Sequence, residues 1–342
     1  MTSKLVRRWW PALLLALGVV GAIGVLLASA GEPDDELVVY NGRSHYGGEE
    51  AFAAFERETG IKVRLFGGAA EELHQRLRSE GANTPADVLV TVDGANLWRA
   101  KRDGLLAPMT SDVIAQRVPA SLRDRDGEWV AVSTRVRTVV RSTERVPADA
   151  VRTYADLGDP RWKGRLCLRT SNNIYNQSLV ADMLVKRGEA ATERLLRSWM
   201  RNDPRVLGSD TDVLKAISAG QCDVGVTNHY YLARLVADDP KFPVAVAWPD
   251  QDGAGAHANL SGAGVVKASD RREDAQRLVE FLTSREAQDA IAANGEFPAA
   301  DGVQAAAHVR SWGRPKTDPI DVRRAGERQA DAVALMAEVG WE

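Results

Sequence analysis

Short apolar runs alternate with stretches of helical spacing along this chain. Glu36-Leu37-Val38-Val39-Tyr40 reads as a strand closed by the turn signal Asn41-Gly42. Residues 49–59 place Ala51, Phe52 and Phe55 on one helical face, and Gly60 stops the helix. A strand over 61–65, a helix over 70–78, a strand over 86–91 and a helix over 95–103 follow. Strands alternating with helices predict an open, mainly parallel sheet.

A second unit of the same kind begins near Trp162-Lys163-Gly164. Its strands are expected at 165–168 and 222–227, and its helices at 176–186, 190–201 and 212–219. Two extended segments, 129–140 and 242–248, are expected to cross between the units. A strand over 261–266 would return to the first unit beneath a helix over 272–283, and 322–340 reads as one long amphipathic helix. The expected fold class is α/β, a two-lobed hinged binding protein with crossing strands. One lobe would take 31–135 plus 250–300, and the other 136–249 plus 301–342. Ligands of open α/β sheets sit beyond the carboxyl ends of strands, so a ligand is expected in the cleft.

The amino terminus stands apart. Lys4, Arg7 and Arg8 precede an apolar run over 9–28, then Ala28-Ser29-Ala30 and an abruptly polar stretch. This is a secretory pattern over 1–30. The run is also about long enough to span a bilayer uncleaved, which leaves an N-terminal anchor as the alternative. Cleavage would move the formal net charge from −3 to −6, because the leader holds three basic and no acidic residues. Composition changes little else. The 44 basic residues are outnumbered by 47 acidic ones and form no long block, which argues against nucleic-acid binding. A monomer is expected.

Two cysteines in an exported chain read first as one disulfide. Cys167 lies eight residues before Tyr175, and Cys222 eight before Tyr230. Both sit in apolar stretches that lead to a tyrosine, so two strands could be stapled at one level. The alternative is two buried free thiols.

The tyrosines carry the chemistry. Of only six, Tyr46, Tyr175, Tyr230 and Tyr231 follow strand-like runs, each beside Asn, His or Arg. A phenolate is a hard anionic ligand suited to Fe3+. Alternatively, each is a half-buried ring capping a strand. Three ionised phenols would balance the charge of Fe3+, and a bound cation releases protons from phenols whose free pKa is about 10. Arg43 and Arg234 could compensate any further negative charge. The backbone at Ser171-Asn172-Asn173 could hold an anion at a helix start. His74 is expected on a solvated face, Asp93 as a helix cap, and His229 turned away from Tyr230. His257 and His308 read as bland. Gly262-Ala263-Gly264 is not a phosphate loop, for no Lys-Ser/Thr follows.

Several segments together resemble the ferric-iron-binding periplasmic proteins that serve ABC transporters. They are Val39-Tyr40-Asn41-Gly42-Arg43-Ser44-His45-Tyr46, Thr84-Pro85-Ala86-Asp87-Val88, Ser171-Asn172-Asn173-Ile174-Tyr175-Asn176-Gln177-Ser178, Asn228-His229-Tyr230-Tyr231 and Ser261-Gly262-Ala263-Gly264. The likeness runs over about 37–300. It implies that Tyr230 and Tyr231 ligate iron and that Tyr175 is a third phenolate, with little need of an exogenous anion. Carbonate or another synergistic anion remains open. His45 and Tyr46 match a further ligand pair, although Ser44 is an extra residue that shifts the loop by one. Asn228 is placed with the outer groups of the site. The resemblance further implies a non-enzymatic periplasmic carrier that delivers Fe3+ to an ABC permease. The competing functions are a binding protein for another small solute or oxyanion, and an exported hydrolase. The hydrolase lacks a Gly-x-Ser-x-Gly elbow and a His-Glu-x-x-His motif.

Overall fold

The computed structural model describes residues 36–43 and 49–342. His45, Tyr46, Ser44 and the leader lie outside the described residues. The strands are β1 (Glu36–Asn41), β2 (Lys62–Gly67), β3 (Val88–Thr91), β4 (Leu106–Ala107), β5 (Val130–Ser142), β6 (Leu166–Arg169), β7 (Arg205–Leu207), β8 (Val224–Asn228), β9 (Val244–Ala247), β10 (Ala256–Val266), β11 (Phe297–Pro298) and β12 (Thr317–Pro319). Among the described residues they join in the order β2-β1-β3-β10-β5-β8-β6-β7, with β4 and β12 on β10 and β9 and β11 on β5.

The flanks are parallel, β1 with β3 on one side and β6 with β7 and β8 on the other. The centre is antiparallel, because β5 and β10 run against each other and against β8 and β3. The first half of β5 pairs with β10 from Val130 to Val136. Its second half pairs with β8 from Arg137 to Arg141. One strand therefore belongs to two lobes. This two-lobed α/β architecture is the expected fold class.

Three differences from expectation have physical causes. The 242–248 segment does not cross: β9 is four residues long and pairs only with Val139–Ser142. The return crossing belongs to β10, whose eleven residues run from β12 to β3. It lies so close to β5 that a Cβ on Gly262 would come within 2.6 Å of the Val130 carbonyl, which explains the glycine. The carboxyl-terminal stretch is two helices, Val322–Glu327 and Gln329–Glu338, because Arg328 leaves helical geometry at φ −96 and ψ 6. The first of these packs on both the Gly94–Arg102 and Ile174–Arg187 helices. Finally, His74 is buried with Nε2 3.0 Å from Asp103, not solvated, because its helix packs that face inward beside Leu73 and Leu77.

The first core gathers Leu37, Val39, Phe55, Leu97 and Leu278; the second gathers Leu157, Leu179, Trp199, Val226 and Trp341. A third cluster, under β8 and β9, contains the Cys167–Cys222 disulfide, with Cα atoms 5.8 Å apart. The disulfide is as expected, but its two ends are not level. Cys167 stands opposite Gly225, so equal offsets do not put the cysteines at one level. Cys222 reaches back from the turn before β8. Among the described residues no helix is long and apolar enough to cross a membrane.

Candidate metal centre

The Ile174–Arg187 helix follows β6 after a link of four residues. Asn173 caps it by accepting from the Tyr175 backbone N–H at 3.0 Å. That puts Tyr175 in the first turn, 2% exposed. The His229–Asp238 helix starts directly after β8 and puts Tyr230 and Tyr231 in its first turn. Their ring centroids are 4.5 Å apart. Since β6 and β8 are parallel neighbours, all three tyrosines stand beyond the same edge of one sheet.

Arginines surround them. The Arg135 guanidinium lies 4.7 Å from the Tyr175 ring centre, and Arg169 lies 6.0 Å from it. Arg234 lies 5.0 Å from the Tyr230 ring and 5.7 Å from that of Tyr231. Such contacts contribute about 0.5–2 kcal/mol, the more so when desolvated. Arg43 donates to Glu296 through both terminal nitrogens, at 3.1 and 2.9 Å, and to Ser133 at 3.0 Å. Burial works against its charge. Glu296 and, more weakly, Tyr230 and Tyr175 more than offset this and raise its pKa. Burial also opposes the Glu296 charge, but Arg43 and Ser133 hold its pKa below the usual carboxylate range.

Asp93 caps the Gly94–Arg102 helix through the Ala95 N–H, as expected. Its Oδ2 also accepts from Arg135 at 2.9 Å, Ser178 at 2.9 Å and Asn259 at 3.0 Å. Ser178 lies one turn beyond Tyr175, so this contact joins the Ile174–Arg187 helix to the N-cap of the Gly94–Arg102 helix. His229 is fully buried and stacked on Phe297 at 4.4 Å, and its Nδ1 accepts from the Val136 N–H. Burial pushes its pKa down to about 4. His257 is buried against Asp182 at 2.8 Å. Of the expected anion groups, Asn172 is exposed and bonded to Thr170, and the Ser171 carbonyl accepts from Gln177.

Residues that sequence reasoning missed form the frame behind the tyrosines. They are Arg135, Arg137, Asn176, Asp210 and Glu296. A usable signal existed for two of them: Arg135 and Arg137 interrupt an apolar strand, and a buried charge requires a partner. Glu296 and Asp210 carry no comparable signal.

A fold of two lobes sharing crossing strands, with a polar cluster at the sheet edge, defines a solute-binding protein. The chain belongs to the bacterial extracellular solute-binding protein family, whose model matches residues 83–316. It is 40% identical to iron uptake protein A1 of Synechocystis sp., over the full length of both chains. Its fold is similar to that of a Trichodesmium protein solved in complex with iron and citrate ligands, at TM-score 0.83 and 39% identity, covering 90% of this chain and 100% of that one. The ferric binding protein of Campylobacter jejuni is similar at TM-score 0.84 and 32% identity, with 90% and 100% coverage.

Proposed function

We propose that this chain is an exported carrier that binds Fe3+ in the cleft through the phenolates of Tyr175, Tyr230 and Tyr231. The observation that carries the reading is the convergence of three tyrosines, in the first turns of two helices, beyond two adjacent parallel strands. Relatives named for iron uptake and ferric binding support it. Phenolate oxygen matches a hard trivalent cation. His45 and Tyr46 supply further ligands from the first lobe, taken as 31–135 plus 250–300. The second lobe, 136–249 plus 301–342, carries the three tyrosines. Carbonate or citrate fills any coordination position the side chains leave. Arg234, against both rings of the tyrosine pair, belongs to the outer shell with Arg43 and Asn228.

The protein performs no catalysis. As a periplasmic monomer it hands Fe3+ to an ABC permease. Loading the purified protein with ferric citrate should produce a visible phenolate-to-iron charge-transfer band. Tyr230→Phe and Tyr231→Phe should each move that band and weaken binding. A colourless loaded protein, or both variants with the wild-type spectrum, would refute the assignment. Another solute or oxyanion held by phenol hydrogen bonds would give no band.

A further inference from the structure

One side chain reaches both tyrosine helices. Arg137 sits on β5 opposite Asn228, where the crossing strand enters the second lobe. Its side chain is 2% exposed. Nη1 donates to Asp210 Oδ2 at 2.7 Å and to Asn228 Oδ1 at 3.3 Å. Nη2 donates to Asn176 Oδ1 at 2.7 Å and to the Val226 carbonyl at 3.4 Å. Asn176 directly follows Tyr175. Asn228 stands at the N-cap position of the helix that carries Tyr230 and Tyr231, with its side chain turned to other partners.

The guanidinium fixes both amides. It has donors only, so each amide must turn its oxygen inward. The amide nitrogens then face away. Asn228 Nδ2 donates to the Tyr230 hydroxyl oxygen at 3.2 Å. Asn176 Nδ2 donates to the Arg169 and Thr170 carbonyls at 3.0 Å each, which pins the turn between β6 and Tyr175. Asp210 holds the other side of the frame and also accepts from the Asn228 backbone N–H at 3.3 Å. A planar fork can serve two amides at fixed angles, and a lysine cannot.

We infer that Arg137 is the positioning residue of the site: through Asn176 and Asn228 it sets the spacing between Tyr175 and Tyr230. This rests on the ferric reading above. Outer groups that orient metal ligands change affinity by about 10–100-fold when altered. Three variants of the full chain test it with ferric citrate as the probe: R137K, the double variant R137M/D210L, and Y230F as control. The double variant removes both buried charges together, a change that is often neutral for stability. It therefore carries the test should R137K fail to fold.

The folded variants should melt near the wild-type temperature, bind iron about 10–100-fold more weakly and show a displaced charge-transfer band. Wild-type affinity with an unmoved band in a folded variant overturns the inference. So does a loss of binding that only tracks the folded fraction with the band in place. If Y230F binds iron with the wild-type spectrum, the ferric reading itself fails, and the clamp with it.

Discussion

The Cys167–Cys222 disulfide offers the most quantitative test of the second lobe. The cysteines are 55 residues apart. In the chain-entropy model, closing a loop of that length constrains the unfolded chain by about 4 kcal/mol. The folded state gains little besides, because β6 and β8 are already joined by the ladder at Leu166–Val224 and Cys167–Gly225. Reduction should therefore cost nearly the whole 4 kcal/mol without moving the tyrosines. With about 2.1 cal/mol/K of unfolding entropy per residue, a body of ~300 residues should melt about 6 °C lower. A second lobe that unfolds alone should drop further. Urea unfolding with and without reductant measures the difference, and mass spectrometry of unreduced protein after alkylation should find no free thiol. Reduction is a cleaner perturbation than C167A/C222A, which adds a cavity next to Val213 and Ile217. A stability loss under about 1 kcal/mol would refute the entropic argument. A lost iron band in reduced, folded protein would refute the claim that the ladder and Arg137 suffice to hold the tyrosines.

Asp93→Ala leaves Arg135 buried without its carboxylate and should cost about 3–5 kcal/mol in urea unfolding; a loss below about 1 kcal/mol would show that Arg135 finds another partner. Glu296 has a folded pKa depressed by Arg43, so its contribution is present above the ordinary carboxylate range and disappears as pH falls through the depressed value. Glu296→Gln should therefore lower the melting temperature at pH 7 and flatten its decline towards pH 3, and an acid limb as steep as wild type would count against the pairing. Iron loading should compact the protein in small-angle scattering, since a ligand that contacts both lobes favours the closed arrangement; H45A/Y46F should bind iron and compact less, and full compaction would remove the first lobe from the ligand set.

Much of the fold was readable because its signals are local. The periodicity of 49–59, the stop at Gly60 and the apolar runs at 86–91 and 222–227 all became elements near their expected places. The disulfide and the first-turn tyrosines were equally accessible, since cysteines and tyrosines are few. Long-range choices were not. Nothing in 242–248 says that it pairs with Val139–Ser142 and stays in one lobe, whereas β10 crosses. The break at Arg328 depends on how the Val322–Glu327 helix wedges between two others. His74 shows the limit of counting charges on a helix: Glu71, Glu72 and Arg76 surround it in sequence, yet its own face turns inward. The polar frame was the largest omission. Arg137 meets Asp210 across 73 residues and Arg43 meets Glu296 across 253, separations that no local pattern encodes.

That frame is hard to explain as a source of stability. Arg43–Glu296, Arg135–Asp93 and Arg137–Asp210 are all buried, each side chain at most 6% exposed. Pairs of this kind barely recover their desolvation cost, and apolar residues of equal volume would often do as well. Their value must lie in geometry and charge. On the proposed ferric reading, each carboxylate would cancel a guanidinium that otherwise repels a trivalent cation. Each guanidinium keeps rigid donors in place: Arg137 on two amides, Arg135 on the contact between Asp93 and the Tyr175 helix, and Arg43 on the segment that leads to Phe297 and His229. An apolar core could fill the same volume, but it could not fix the direction of an amide or a phenol oxygen. A phenol that swung freely would lose ordering entropy each time it met its ligand, and affinity would fall accordingly. In the proposed site the pairs would hold the phenol oxygens in place, and Arg169 and Arg234 beside the rings would offset part of the phenolate charge.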